Sequence, residues 1–162
     1  MIFGGVTMFR WVWITLALTV ATPAAAEIVV NYDALAASPD PALRRDIERK
    51  GVIHELSSEF DRLDKRYIRP GQVLHIQIQR LDLAGEYEPW RRGFEDVRIM
   101  RDITPPRINL HYALFENGRK TREGTARLSD MNYLSDPRAR SSDERLIHEK
   151  LLLRDWFRET FR

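Results

Sequence analysis

The sequence contains no cysteine. A thiol nucleophile, a disulfide staple and the lipid attachment of a bacterial lipoprotein are therefore all excluded, because each needs that sulfur. Other absences narrow the chemistry further. No serine stands in a G-x-S-x-G context, and no glycine-rich run leads into Lys followed by Ser or Thr, so neither an α/β-hydrolase nucleophile nor a P-loop is present. His54, His75, His111 and His148 are scattered singly, without the spacings that gather ligands around a transition metal. No cofactor is expected. Charge of one sign is also scarce: 26 basic residues face 24 acidic ones, a formal net charge of +2. Nonspecific polyanion binders carry a strong basic excess, so nucleic acid is not an expected partner. Among the basic residues only Lys50, Lys65, Lys120 and Lys150 are lysine. Arginine's fork grips carboxylate and phosphate in bidentate fashion, and a GC-rich genome produces the same bias.

A long hydrophobic run is missing too. The apolar stretch from Trp11 to Ala21 falls short of the roughly 20 residues that a helix needs to cross a bilayer. It follows Arg10 and precedes Pro23-Ala24-Ala25-Ala26, which is the order of a charged region, an apolar region and an A-x-A cleavage site. The expectation is a signal peptide over 1–26, cut after Ala26, with Met8 as an alternative start. Residues 27–162 are then a small, soluble periplasmic domain with no stable membrane anchor. Cleavage removes one Arg and leaves a net charge of one positive unit. A chain of this size buries about two-thirds of its unfolded surface, enough for one core.

Within that domain, Ile28-Val29-Val30 suits a short strand, and Asp40 with Pro41 reads as the cap and first position of a helix. Leu43, Ile47, Ile53, Leu56, Phe60, Leu63 and Tyr67 then recur at three- and four-residue steps. They predict one helix ending at Pro70-Gly71, with a weak point at Gly51. Leu74, Ile76 and Ile78 alternate with His75, Gln77 and Gln79, which predicts a strand with one wet face. The parity changes to Leu81 and Leu83, which marks a bulge or the strand's end near Asp82. Residues 84–106 lack periodicity and read as a long loop, a kind that is often functional.

Ile108, Leu110, Tyr112 and Leu114 alternate again, and Asn117-Gly118 marks a turn into a partner strand over 121–128. A two-residue loop would pair Leu110 with Thr125 and Ile108 with Arg127, setting apolar against polar. One extra loop residue pairs Leu110 with Ala126, Ile108 with Leu128 and Tyr112 with Gly124, so a bulged three-residue loop is predicted. Residues 137–142 read as a linker. Ser141 or Ser142 caps a final helix with Asp143 and Glu144 in its first turn, and Leu146, Leu152, Leu153, Trp156, Phe157 and Phe161 form its buried stripe. The order predicts an α+β fold: a single mixed, mostly antiparallel sheet of about four strands with two helices packed on one face.

Three carboxylates, Asp82, Glu86 and Glu88, fall within the run Asp82-Leu83-Ala84-Gly85-Glu86-Tyr87-Glu88-Pro89-Trp90. Such oxygen donors suit Ca²⁺, but Ala84 stands where an EF-hand loop has a ligand and no bidentate Glu follows, so a turn using Gly85 at positive φ is preferred. Beyond it Arg91, Arg92, Arg98, Arg101 and Arg107 interleave with Trp90, Phe94, Glu95, Asp96 and Asp102. Internal ion pairs that fix the loop over the sheet are the first reading, an anion site the second.

Taken together, Asp82-Leu83-Ala84-Gly85, Asp96-Val97-Arg98-Ile99, Pro105-Pro106-Arg107-Ile108 leading to Tyr112, Leu128-Ser129-Asp130 and Glu149-Lys150 before Trp156 resemble an uncharacterised family. It is a domain-of-unknown-function family of small exported proteobacterial proteins. The resemblance implies a signal peptide followed by one compact domain, with no activity, substrate or cofactor assigned. It directs interest to Asp82, Gly85, Asp96, Arg98, Pro106, Arg107, Tyr112 and Asp130 as a binding or structural cluster. The functional expectation is a non-enzymatic domain that engages an envelope protein or an anionic envelope component through the 82–107 surface. The alternative is a metal-dependent or acid/base enzyme using Asp82, Glu86, Glu88 and Asp96, which requires a carboxylate pair within a few ångströms in an open cleft.

Overall fold

Residues 26–88, 90, 92 and 97–162 are described by a computed structural model of the chain. The signal segment, apart from Ala26, and Asp96 lie outside the described residues. Strand β1 (Glu27–Asn31) leads through a short 3-10 turn into α1 (Pro41–Arg44), for which Asp40 is the cap, its carboxylate accepting the Ala42 N–H at 2.9 Å. Helix α2 (Asp46–Tyr67) follows directly. The single helix expected from Pro41 onward is thus broken, and the break is at Arg45 rather than Gly51. Arg45 adopts an extended conformation (φ −83°, ψ 119°), which resets the helical phase and turns Ile47 out into solvent, 87% exposed. Past the break, Val52, Leu56, Phe60 and Leu63 form the buried stripe. Asp46 and Glu48 in the first turn and Lys65 and Arg66 in the last complement the helix dipole.

Strand β2 (Gln72–Asp82) lies parallel to β1 and antiparallel to β5 (Arg107–Glu116), and β5 pairs with β6 (Arg119–Ser129), giving the order β1-β2-β5-β6. Leu74, Ile76, Ile78, Leu110 and Ile108 face the helices and are buried, while His75 and Gln77 point the other way. The predicted α+β class and mixed four-stranded sheet are observed. The sheet is not single, however. Within the stretch read as a loop, β3 (Glu86–Tyr87) and β4 (Arg98–Ile99) pair as a separate two-stranded ribbon.

The β5–β6 register matches the expected one, with Ile108 opposite Leu128, Leu110 opposite Ala126 and Tyr112 opposite Gly124. The predicted three-residue loop is wrong. Glu116 faces Arg119 across a two-residue turn in which Asn117 (φ 50°) and Gly118 (φ 78°) are both left-handed. The additional residue sits in the strand instead: the register shifts beyond Leu114, with Leu114 opposite Arg122 and Phe115 opposite Lys120. Matching apolar faces demands one extra residue without specifying where it goes, and a bulge at Thr121 supplies it.

The segment read as a linker contains the short helix α3 (Pro137–Arg140), capped by Asp136, and a 3-10 turn at Tyr133–Ser135 precedes it. The last helix, α4 (Ile147–Thr160), starts well after Ser142, because Leu146 takes a left-handed conformation (φ 57°) that blocks an earlier start. Ser142 instead accepts the Glu144 N–H at 3.2 Å. Leu153, Trp156 and Phe157 pack against α2 and the sheet as expected. Charged residues join the helix contact as well: Arg154 donates to both oxygens of the buried Glu59 at 2.7 and 2.8 Å, and the buried Lys150 reaches Glu55 at 2.9 Å. Among the described residues no helix is long and apolar enough to cross a membrane.

Two glycines test this packing with opposite signs. At Gly51, inside continuous helix, an added methyl would meet only the tip of the Arg145 side chain at 3.0 Å. Gly51→Ala is expected to stabilise by about 0.5–1 kcal/mol. At Gly124 the methyl would lie 3.1 Å from the Tyr112 ring, which packs against Trp156 and Phe161 at centroid distances of 5.4 and 5.9 Å. Gly124→Ala is expected to destabilise by about 1–3 kcal/mol. Denaturant unfolding of the two variants checks both signs.

Candidate functional site

Strand β2 ends at Asp82, and the chain then makes a turn at Leu83-Ala84-Gly85 that is buried instead of lying on the surface. A buried turn must find partners for its backbone groups. Here all six are met by distant residues. The Leu83 N–H donates to Asp40 at 3.3 Å, the Ala84 N–H to Glu149 at 2.7 Å, and the Gly85 N–H to the Thr104 carbonyl at 3.0 Å. The three carbonyls accept from one side chain, Arg98 on β4, at 3.0 Å for Leu83, 3.0 Å for Ala84 and 2.6 Å for Gly85. The same guanidinium forms a bidentate pair with Asp40 at 3.1 and 2.9 Å. Gly85 is required on two grounds: its φ is +70°, and a methyl there would lie 2.6 Å from the Ile99 carbonyl oxygen.

Tyr87 on β3 packs beside this clamp, with the guanidinium carbons of Arg45 and Arg98 at 5.1 and 5.2 Å from its ring centre and its hydroxyl donating to Glu48 at 3.3 Å. Burial, the first cause, pushes the Tyr87 hydroxyl pKa above its ordinary value, and the nearby Glu48 adds to this. A second anchor holds the far end of the segment. Arg101 donates to the buried Glu88 at 2.8 Å, and the Tyr133 hydroxyl accepts the Arg101 N–H at 3.1 Å while donating to the Arg101 carbonyl at 2.6 Å. Internal ion pairing thus accounts for Arg98 and Arg101.

Around the turn opens a cavity of about 340 Å³. Asp82, Gly85, Arg98 and Arg107 all line it, together with Glu86 and Ile103. Four residues singled out from the sequence therefore converge. Asp82 is opposite Arg107 in the β2–β5 ladder and pairs with Arg80 at 2.8 Å. Arg107 is exposed and makes no ion pair among the described residues.

The remaining candidates lie elsewhere. Tyr112 is a packing residue, its ring set over Gly124 and against Trp156 and Phe161. Asp130 accepts the Asn132 N–H at 2.8 Å beside a separate cavity of about 460 Å³ lined by Asp136, Arg138 and His148. Burial lowers the pKa of His148 there, with Asp136 and Asp130 opposing it. Asp96 falls outside the described residues. Sequence reasoning took Asp40 only as a helix cap and noted Glu149 only within the resemblance. Nothing local in the sequence marks either carboxylate as buried, since Glu149 stands between His148 and Lys150 and Asp40 between two prolines, and neither sequence context indicates the distant partner.

Of the four carboxylates of the enzyme alternative, Asp82 is committed to Arg80 and Glu88 to Arg101, whereas Glu86 is exposed. Among the described residues no three His, Asp or Glu side chains are grouped to hold a metal ion. A family model described as "Protein of unknown function (DUF3016)" matches residues 26–159. Neither the curated proteins nor the solved structures contain a match to the chain.

Arg98→Ala leaves Asp40 buried without its partner and three carbonyls unbonded, so a loss of about 3–5 kcal/mol in unfolding free energy is expected. Glu149 gives a pH signature. Its burial pushes the carboxyl pKa up, against the bonds from the Ala84 N–H and its own N–H and the charge of Arg98. The folded chain therefore holds this proton more tightly than the unfolded chain. The group's stabilisation is full below the ordinary glutamate pKa of about 4.3 and declines as pH rises through the raised folded value. Glu149→Gln keeps an acceptor for the Ala84 N–H and removes that decline. Its stability profile between about pH 4 and pH 8 should be flatter than wild type, and Glu149→Ala should lose about 1–3 kcal/mol throughout.

Proposed function

The chain belongs to the DUF3016 family, and from that premise we propose that it is an exported, non-enzymatic domain whose 82–107 surface binds an envelope protein or an anionic envelope component. The observation that carries this reading is a concentration of exposed apolar side chains. Trp90, Val97, Met100 and Ile103 are all exposed within one short segment, Ile103 to 73%. Exposed apolar clusters mark interaction surfaces, and Trp, Met and Arg are the types enriched at interface cores. Arg107 adds a cation with no internal partner among the described residues.

The bonds beneath residues 97–103 support the same reading. Arg98 ties β4 to Asp40 and Arg101 ties the residues after it to Glu88, so Val97, Met100 and Ile103 are presented from an ordered frame. Binding to a pre-ordered surface costs less conformational entropy. The acid/base or metal-dependent alternative has less support, because Asp82 and Glu88 are paired with arginines while Glu86 alone of the three is exposed without an ion pair among the described residues. Export rests on the order of residues 1–26 and the A-x-A site ending at Ala26.

Two measurements test the proposal. In cells expressing the full chain, N-terminal sequencing of the periplasmic fraction should begin at Glu27; intact chain retained in the membrane refutes release of a free domain by cleavage after Ala26. Crosslinking of the 27–162 domain to envelope extract should give partners that the Ile103→Ser, Arg107→Gln double variant does not capture. Both positions are exposed, so the variant folds as wild type. Identical partners for the two proteins refute the surface assignment.

A further inference from the structure

The cavity beside the Leu83-Ala84-Gly85 turn carries a charge pattern that narrows what it binds. Three cations and three anions line it: Arg80, Arg98 and Arg107, and Asp40, Asp82 and Glu86. Four of these six cancel internally, Arg98 with Asp40 at 2.9 Å and Arg80 with Asp82 at 2.8 Å. The pair left over is one guanidinium, Arg107, and one carboxylate, Glu86, both exposed and neither in an ion pair among the described residues. Ile103, Pro39 and Pro105 supply apolar wall between the polar groups. At about 340 Å³ the space is at the small end of ligand cavities.

We propose that this cavity takes a small zwitterion, an α-amino acid or a dipeptide with both ends unblocked, its carboxylate on Arg107 and its ammonium on Glu86. The inference rests on the reading of the 82–107 surface as a binding surface and specifies its ligand chemistry. A plain anion satisfies Arg107 and meets the Glu86 charge, and a plain cation meets the converse conflict. A ligand with both charges leaves no group in the cavity opposed, which is how a site rejects the wrong partner. Charge-assisted hydrogen bonds at both ends add orientation, and the apolar wall accepts an aliphatic side chain.

The test uses the 27–162 domain and four probes: L-leucine, L-alanyl-L-leucine, its N-acetyl form and its C-terminal amide. Binding is followed by amide NMR shifts. The zwitterions should shift the amides of Glu86, Tyr87 and Arg107, leucine and the dipeptide separating a free amino acid from a peptide as ligand. Blocking either end should weaken binding about tenfold or more. Glu86→Gln should abolish the penalty for acetylation and keep that for amidation, and Arg107→Gln the reverse. Thermal midpoints of both variants should match wild type, since both side chains are exposed.

Blocked dipeptides that bind as well as the free one overturn the proposal, as does the lack of any shift at the cavity with millimolar probe. If the probes are silent while envelope capture still depends on Ile103 and Arg107, the cavity inference fails alone. If capture is independent of them as well, both readings fail.

Discussion

The Arg98 guanidinium joins parts of the chain that are remote in sequence: the cap of α1 at Asp40, the end of β2 at Leu83, Ala84 and Gly85, and its own strand β4. Burying an arginine is costly, and so is burying a turn whose peptide groups lack a ladder to join. Each problem solves the other. The carbonyls of the turn accept from the guanidinium, Asp40 balances its charge, and the remaining Asp40 capacity caps the helix and takes the Leu83 N–H. Glu149 completes the set from α4 through the Ala84 N–H. The helix layer, the main sheet and the β3–β4 ribbon thus meet at a fully bonded polar centre.

That centre separates the singled-out residues by role. Arg98 and Gly85 are bound up in holding the turn, so their identity is explained by structure even though both line the cavity. Arg107 and Glu86 take no part in it. A residue type that suggests ligand binding in the sequence, such as an arginine in a long irregular segment, is therefore ambiguous until its hydrogen bonds are counted. Arg98 makes bonds to Asp40 and to the three carbonyls, whereas Arg107, nine residues later and first in β5, lines the cavity exposed and makes no ion pair among the described residues.

Much of the fold was legible because it follows from periodicity. The alternation of Leu74, Ile76 and Ile78 and the register of β5 with β6 depend only on which face each residue must present, and the cap at Asp40-Pro41 on a local bond from the Ala42 N–H. Features without a periodic signal escaped. The break at Arg45 follows no glycine or proline, and the left-handed Leu146 is a conformation that a leucine sequence does not suggest. The hairpin shows the boundary clearly: facing residues fix the count of residues, and the bulge at Thr121 or a longer turn satisfies that count equally well. The site was legible as a set of residue types along 82–107. Its geometry was not, since the Asp40–Arg98 and Ala84–Glu149 contacts span 58 and 65 residues.

One extra residue explains how β2 brings Arg80 and Asp82 to the charged wall of the cavity. Up to Ile78 the even-numbered residues of β2 face the helices, and an uninterrupted strand would carry Arg80 and Asp82 into the core with them. The register shift between Ile78 and Arg80 places Gln79 in a bulge and reverses the parity. Leu81 then lies opposite Ile108 on the core side, and Asp82 lies opposite Arg107 on the open face. The change from Ile78 to Leu81 in apolar spacing is thus more than the fading of a strand. It rotates the strand end so that a leucine enters the core and a carboxylate joins the rim of the cavity, where its pairing with Arg80 leaves Arg107 without a competing partner.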